Sequence, residues 1–487
     1  MEKTELEFPQ IDYVAILPEI IICGLALLIM LFAAFLPRDR RWITGHIAWF
    51  GIIVASFAVW MNWGTDTRTF AGMYSIDLFS SVLKLIFLLG SLLVVFMSEN
   101  YIRLHKLEAG EYYALIIFSL FGMMMMASAA DLVVFFVGLE IMSVALYVLA
   151  GFRRSDPKSN ESSLKYFLLG AFATGFIVLG IAFVFGAVGT TSIAQMFDPQ
   201  QYTLANSFFY LMVGGGLLLI GLAFKLASFP FHMWVPDVYE GAPTAVTAFM
   251  SSGPKAAAIA VLARVFVVAF GQHITQLSPM FWSLSVLTMF TGNLIAISQT
   301  NIKRMLAYSS IAHAGYMLIA FATGTAEAVN SVVFYLLTYT VMNLGAFMVL
   351  LVVEGKEDGD NEITSFTGLG RRHPFLGAAM TLFLISLAGI PPTAGFAGKF
   401  FLFKAAVAKG QIPLVVIAVI NSLISVYYYL RVVVVMFMID TQTEFRPVSY
   451  PAFLYVALVV AVLGTIVLGV FPTSFFPFDI PLLASGR

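Results

Sequence analysis

Residues 221–255 read GLAFKLASFPFHMWVPDVYEGAPTAVTAFMSSGPK. Lys225 closes one long apolar run and Lys255 opens the next. Between them stand Pro230, Pro236, Pro243 and Pro254, with His232, Asp237 and Glu240. Proline removes a backbone donor and clashes with the preceding turn, so this stretch cannot be one continuous helix. Inside an apolar span, a break is tolerated only where the freed backbone is buried in protein or faces a wet cavity. The stretch therefore predicts a discontinuous membrane helix with charge on both sides of the break, and an ion path through it.

Composition sets the class around this stretch. Hydrophobic residues make up 60% of the chain and charged residues 11%, with a mean hydropathy of +0.93. A soluble domain carries about 25% charged residues, so the chain reads as an all-α polytopic membrane protein. A net charge of −1 gives no reason to expect nucleic acid. The single cysteine, Cys23, excludes a disulfide framework, an Fe–S site or a cysteine zinc site made by this chain alone. The start, MEKTELEFPQ, is acidic and lacks the basic region of a cleaved signal, so the first span is expected to remain as a helix.

Apolar runs of membrane length predict about fourteen helices, at 13–36, 42–63, 76–98, 111–129, 131–151, 162–187, 205–229, 244–270, 280–299, 303–322, 327–353, 373–405, 411–438 and 450–472. An acidic surface loop is expected between Glu354 and His373. Arg40, Arg41, Arg153, Arg154, Lys303, Arg304, Arg371 and Arg372 fall in alternate loops, while the other side holds only Lys3, Arg68, Lys409 and Arg487. Basic loops stay cytoplasmic, so both termini are expected on the non-cytoplasmic side.

The chain resembles itself. GLEIMSVALYVLAG (138–151) is similar to YSSIAHAGYMLIAF (308–321), and KYFLL (165–169) to VFYLL (333–337). The broken span around Pro230 then has a counterpart, LAGIPPTAGFAGKF (387–400), with Pro391, Pro392 and, just beyond, Lys399. Each repeat would hold five helices, an odd number, so the copies must be inverted in the membrane. Paired discontinuous helices in inverted repeats are a mark of transporters with ion sites near the midplane. The expected division is 1–110, an N-terminal three-helix segment; 111–270, the first repeat; 280–438, the second; and 439–487, the last helix.

A lysine at the bilayer centre costs roughly 2.5–3.5 kcal/mol on insertion scales, so charges there are read as functional. Lysine can lose its proton when buried, unlike arginine. Glu140, the one acid clearly mid-span, is expected to pair with Lys225, either as a switchable pair or as a static one. Lys165 has two readings, a local partner for Glu161 or a second partner for Glu140. Lys255 and Lys399 are read as proton carriers. His232 either bridges Lys225 to Lys255 or caps a helix, and His313 either relays protons or makes a buried hydrogen bond. Arg264 is expected to snorkel to the interface. Glu19, Asp77 and Asp131 are expected as interfacial charges, and Asp237 and Glu240 are expected to cap or position the broken loop. Met123–Met126 reads as flexible packing.

The runs FKLASFPFHMWVPDVYEGAPTAV (224–246), SQTNIKRMLAYSSIAHAGYMLIA (298–320) and ISLAGIPPTAGFAGKFFLF (385–403) resemble the antiporter-like subunits of respiratory complex I. The resemblance covers nearly the whole chain. It implies fourteen helices, two inverted five-helix repeats, and breaks in the seventh and twelfth helices. The family's helix-five glutamate falls on Glu140. Its lysines on helices six, seven and eight fall on Lys165, Lys225 and Lys255, and its terminal charge on helix twelve falls on Lys399. An early end after the last span is unlike the members with a long lateral helix, and Lys399 is unlike those with glutamate there. The wording DVYEGAP resembles the remaining branch, whose plastid and cyanobacterial counterpart shares these features.

The resemblance implies proton translocation in the order Glu140–Lys225, then His232 and Lys255, then Lys399. It implies no cofactor on this chain, with NADH, FMN, Fe–S clusters and quinone on partner subunits. The implied partners are other membrane-arm subunits, including neighbouring antiporter-like ones, in the bacterial cytoplasmic membrane. Subunits of multi-subunit sodium/proton antiporters and of membrane-bound hydrogenases share the helix and charge pattern. A non-conducting spacer is the reading from another class, and the mid-membrane charges argue against it.

Overall fold

A computed structural model describes residues 11–37, 40–105, 107, 110–198, 202, 204, 206–354, 361–439 and 452–482. Lys3, Arg487 and positions 355–360 of the expected acidic loop lie outside the described residues. The first helices are α1 (Leu17–Phe35), α2 (Ile43–Met61), α3 (Leu78–Leu104), α4 (Glu111–Ser128), α5 (Leu132–Ala150) and α6 (Pro157–Val188). The broken region follows as α7 (Ser207–Leu226), α8 (Trp234–Gly241) and α9 (Thr244–Leu262). Then come α10 (Ile274–Ile297), α11 (Ile302–Thr323), α12 (Ala326–Glu354), the short α13 (Leu369–Arg372), α14 (Pro374–Ala388), α15 (Ala394–Ala408), α16 (Ile412–Met438), α17 (Ala452–Val470) and the short α18 (Pro472–Phe475).

Among the described residues, thirteen helices are long and apolar enough to cross a membrane. The expected span 373–405 is instead divided into α14 and α15, which accounts for the fourteenth crossing. Local signals set many of the ends. Proline opens α1, α6, α14 and α16, where its missing N–H is harmless. Asp77 caps α3 by accepting from Ser80 N at 2.8 Å, and Ser80 Oγ accepts from Asp77 N in return. Asp131 caps α5 through Val133 N at 2.7 Å. The helical fold has one small addition, an antiparallel hairpin pairing Thr67–Thr69 with Tyr74–Ile76.

Both breaks end their first helix in the same way. Ala227 and Gly389 adopt left-handed backbone, with φ of 61° and 85°. Ser228 N then bonds Ala223 O at 2.9 Å, and Ile390 N bonds Ile385 O at 3.2 Å, the reverse turn that satisfies terminal carbonyls. Glycine suits the φ at 389, and a side chain there would also press on Lys399, its Cβ 2.9 Å from Cδ.

The helices α11 and α12 are almost wholly buried and form the centre of the molecule. α6 packs along α7, and α10 along α11. Two buried ion pairs secure the first three helices. Lys84 Nζ of α3 lies 2.6 Å from Glu19 Oε1 of α1, which also accepts from Tyr74 Oη at 2.8 Å. Arg264 donates to both Asp77 oxygens, at 3.0 and 2.9 Å, and its Nε donates to Ala127 O at 2.8 Å.

Four expectations are thereby corrected. Arg264 does not snorkel, because Asp77 meets it inside the protein, and Glu19, Asp77 and Asp131 are buried rather than interfacial. Arg264 lies in a widened π-type turn, Ala263–Ala269, that continues α9.

Candidate functional site

Lys225 is the penultimate residue of α7 and is buried. Its Nζ donates to Ser143 Oγ at 2.7 Å and to Tyr147 Oη at 3.2 Å, both on α5. Ser143 Oγ–H donates to Leu139 O at 2.5 Å, so its oxygen lone pairs are free to accept from the lysine. Glu140 lies on the same α5 face, three residues before Ser143 and seven before Tyr147, the spacing of neighbours on a helix surface.

The direct Glu140–Lys225 pair is not present. Glu140 is half-buried and accepts from Thr174 Oγ1 of α6 at 2.9 Å. The lysine meets Ser143 and Tyr147 instead, because the end of α7 points one to two turns further along α5.

Lys165 is half-exposed and pairs with Glu161 at 2.6 Å and with Asp237 at 2.7 Å. Glu140 is not its partner. Arg304 of α11 bonds Asp237 Oδ1 at 3.1 Å and Glu240 Oε2 at 2.8 Å, and Lys158 bonds Glu240 Oε1 at 3.0 Å. Asp237 and Glu240 thus join α8 to α6 and α11 and position the broken region. Burial alone would raise the Asp237 carboxyl, but hydrogen bonds from Lys165 and Arg304 hold it below the usual carboxylate range. Glu240 is held low in the same way, by Arg304 and Lys158.

His232 stacks on Phe229 and is half-buried. Among the described residues it bonds neither Lys225 nor Lys255, and its Nδ1 is buried without a partner. Lys255, in the middle of α9, donates to Ser310 O at 2.7 Å and to Ser310 Oγ. Ser310 belongs to α11, and this helix continues the polar line. His313 Nδ1 lies 2.6 Å from Tyr335 Oη of α12, and its Nε2 lies 3.3 Å from Tyr429 Oη of α16. Tyr429 Oη also bonds Ser309 Oγ.

Lys399 ends the line. Its Nζ lies 4.6 Å from the centre of the Tyr316 ring. It donates to Leu387 O at 3.2 Å, Ala388 O at 3.0 Å and Ser422 Oγ at 2.9 Å. The two carbonyls are the freed end of α14, where the helix dipole favours a cation. The second break therefore makes the cradle for the lysine that follows it.

One helix, α11, presents Ser310, His313 and Tyr316 three residues apart, between Lys255 and Lys399. The hydroxyls of Ser143, Tyr147, Tyr335, Tyr429 and Ser422 were not singled out from sequence as partners. Serine and tyrosine are common in membrane helices, and only the rotation of neighbouring helices selects these five. Bonded this way, Lys255 and Lys399 are held by hydroxyls and carbonyls, with no carboxylate in contact among the described residues.

Residues 129–425 match the profile of the family described as NADH:quinone oxidoreductase/Mrp antiporter, TM. A protein of Trichlorobacter lovleyi named NADH-quinone oxidoreductase subunit N is 47% identical over 474 residues, covering 97% of each chain. A protein of Solibacter usitatus named NADH-quinone oxidoreductase subunit N 1 is 41% identical over 464 residues, covering 95% of each.

Among solved structures, a chain of respiratory complex I from Thermus thermophilus is 35% identical, with a TM-score of 0.81 over 96% of this chain and 100% of that one. A chain of the Mrp complex from Dietzia has the same fold at 20% identity, with a TM-score of 0.82 over 95% of this chain and 96% of that one.

Proposed function

This chain belongs to the NADH:quinone oxidoreductase/Mrp antiporter family, and from that premise we propose how it works. It is a membrane-arm subunit of a proton-translocating NADH–quinone oxidoreductase. It moves protons while NADH oxidation and quinone reduction proceed on partner subunits that hold the FMN and Fe–S clusters. The family relationship supports the function, and the line Lys255–Ser310, His313, Tyr316–Lys399 along α11 carries the proposed path.

The path begins at Lys225, whose ammonium is held by Ser143 and Tyr147 within one face of α5 from Glu140. A change of charge at half-buried Glu140 alters the field at Lys225 without breaking a contact. At an effective dielectric of about 20, unit charges within roughly 10 Å of each other interact by more than about 1.5 kcal/mol. That suffices to shift a proton equilibrium by more than tenfold, since about 1.4 kcal/mol is one decade. The proton passes to Lys255 and then along α11 to Lys399. His232 lies in the break between the first two lysines and serves this step through water. His313 has a tyrosine hydroxyl at each ring nitrogen, so it can accept on one side and donate on the other. Lys165 belongs to the charged surface at α8 and acts before Lys225.

Residues 111–270 and 280–438 act as the two half-channels, each with its own broken helix. The chain works in the bacterial cytoplasmic membrane, with the basic loops on the cytoplasmic side. Moving one charge against 100 mV takes about 2.3 kcal/mol, which redox chemistry on the partner subunits supplies.

The test is Lys225→Ala in the assembled complex, reconstituted into vesicles. Protons translocated per NADH oxidised are expected to fall, while assembly is retained. Unchanged translocation would exclude Lys225 from the path. Repeating the assay with a sodium gradient in place of a proton gradient separates this reading from sodium/proton antiport.

A further inference from the structure

We propose that the polar cavity between α6 and α8 is the proton-intake vestibule of this chain, and that the stacked rings of Tyr166 and Trp234 gate it from Lys225. The inference rests on the proton-translocation reading and names an intake route for it.

The cavity measures about 120 Å³ and is walled by Lys158, Glu161, Ser162, Lys165, Asp237 and Glu240. A water needs roughly 10–15 Å³ of such space and two to four polar partners. The cavity thus has the room and the polar lining for several waters. It opens on the side of the basic loops, since it lies beside the first turns of α6 that follow Arg153 and Arg154.

Ser162 and Lys165 lie within one turn of Tyr166 on α6, and Asp237 lies three residues after Trp234 on α8. Water therefore reaches to about one helical turn from these rings. There the polar lining ends. Tyr166 and Trp234 stack at 4.5 Å with an interplanar angle of 13°. Phe224 extends the layer on one side at 5.2 Å, and Tyr147 on the other at 4.8 Å. Tyr166 and Trp234 are both buried. The Trp234 indole N–H is taken by Phe224 O at 3.2 Å, so it offers nothing to a water chain. Lys225 Nζ lies against this layer, 5.4 Å from the Tyr147 ring and 6.0 Å from the Tyr166 ring. The aromatic layer thus stands between the wall residues of the cavity on α6 and α8 and the ammonium of Lys225.

The layer can open because of how α8 is held. This helix has eight residues, and the chain on both sides of it is irregular. Its ties to α6 are Ser162 Oγ to Val238 O at 2.7 Å and the ion pairs Lys165–Asp237 and Lys158–Glu240, with Arg304 of α11 on both acids. Ion pairs this exposed are individually weak. Displacement of one of these charges loosens α8, slides Trp234 off Tyr166 and lets water through.

The test uses the assembled complex in sealed membranes, with thiols introduced singly. Ser162→Cys reports the cavity, and Ser143→Cys reports the space beside Lys225. A charged, membrane-impermeant methanethiosulfonate reagent is added on the side of the basic loops, and labelling is read from the mass of this chain's peptides. Ser162→Cys is expected to label and Ser143→Cys to be protected. Adding Trp234→Ala is expected to speed Ser143→Cys labelling about tenfold or more, as labelling follows the open population. It is also expected to lower protons translocated per NADH oxidised.

If Trp234→Ala prevents assembly, Lys165→Met cuts the surface tie without emptying the core, and it too is expected to speed labelling of Ser143→Cys. Equal labelling of Ser143→Cys with the stack intact and disrupted overturns the gate, and protection of Ser162→Cys overturns the vestibule. Proton translocation that survives Lys225→Ala overturns instead the reading on which both rest.

Discussion

Replacing Asp77 by alanine is expected to loosen the first three helices from the rest of the chain. Arg264 would lose both carboxylate bonds, at 2.9 and 3.0 Å, while remaining 1% exposed and bonded to Ala127 O. Removing one partner of a buried pair costs about 3–5 kcal/mol, because the other charge is left without compensation. The same substitution removes the cap of α3, worth about 1 kcal/mol. The two terms share one side chain and do not simply add.

Asp77→Asn separates them. Asparagine caps a helix as well as aspartate does, so it loses the charge and keeps the cap, and it should be less damaging than alanine by about 1 kcal/mol. The double variant Asp77→Asn with Arg264→Met leaves no buried charge and should recover most of the loss, since neutral replacement of a buried pair is often tolerated. The assay is the temperature at which the chain leaves the detergent-solubilised complex on heating, compared at one scan rate. The reasoning is refuted if Asp77→Ala leaves that temperature unchanged, or if the double variant is as weak as Asp77→Ala.

Gly389→Ala is expected to cost about 1–2 kcal/mol, because an L residue is disfavoured in left-handed backbone. It would also displace Lys399, whose Cδ lies 2.9 Å from the new Cβ, so protons translocated per NADH should fall in whatever complex assembles. Asp237 gives a pH dependence. Its native carboxyl is held low, so the tie it makes is fully present above the unfolded value of about 3.9 and is lost as pH falls through the lowered native value. Amide exchange protection across Trp234–Gly241, corrected for intrinsic rates, should drop on strong acidification. In Asp237→Asn it should be low throughout, with no such step.

Much of the architecture is legible in the chain because lipid restricts what a backbone can do. An apolar run long enough to cross must be a helix, so the expected 303–322 is found at Ile302–Thr323 and the expected 244–270 at 244–269. The two breaks are equally legible, since Pro230, Pro391 and Pro392 leave no continuous helix there. Boundaries inside the breaks are less so. The span expected to run to 229 stops at Leu226, because Ala227 turns left-handed and Ser228 N closes on Ala223 O.

For the site, the residue type itself is the signal. Lys225, Lys255 and Lys399 stand out because an ammonium inside a membrane is costly, and all three are buried. What holds each of them was misjudged or unseen. Glu140 was expected in contact with Lys225, yet Ser143 and Tyr147 occupy that place. Arg264 was expected to reach for the interface, yet it meets Asp77 across 187 residues of sequence.

The sequence by itself determined that this chain lies in a membrane, where it crosses, where two crossings break, and that Lys225, Lys255 and Lys399 are buried. Those properties follow from transfer energies and backbone hydrogen bonding, which are local and depend only on residue type. Tertiary structure alone decided which oxygen each cation meets. In α11, Ser310, His313 and Tyr316 form one stripe because of helical spacing, but it takes the rotation of α9, α12, α15 and α16 against that stripe to bring Lys255, Tyr335, Lys399 and Tyr429 to it. Rotation is set by close packing between helices, and packing is a property of the assembled surfaces rather than of any single stretch of chain.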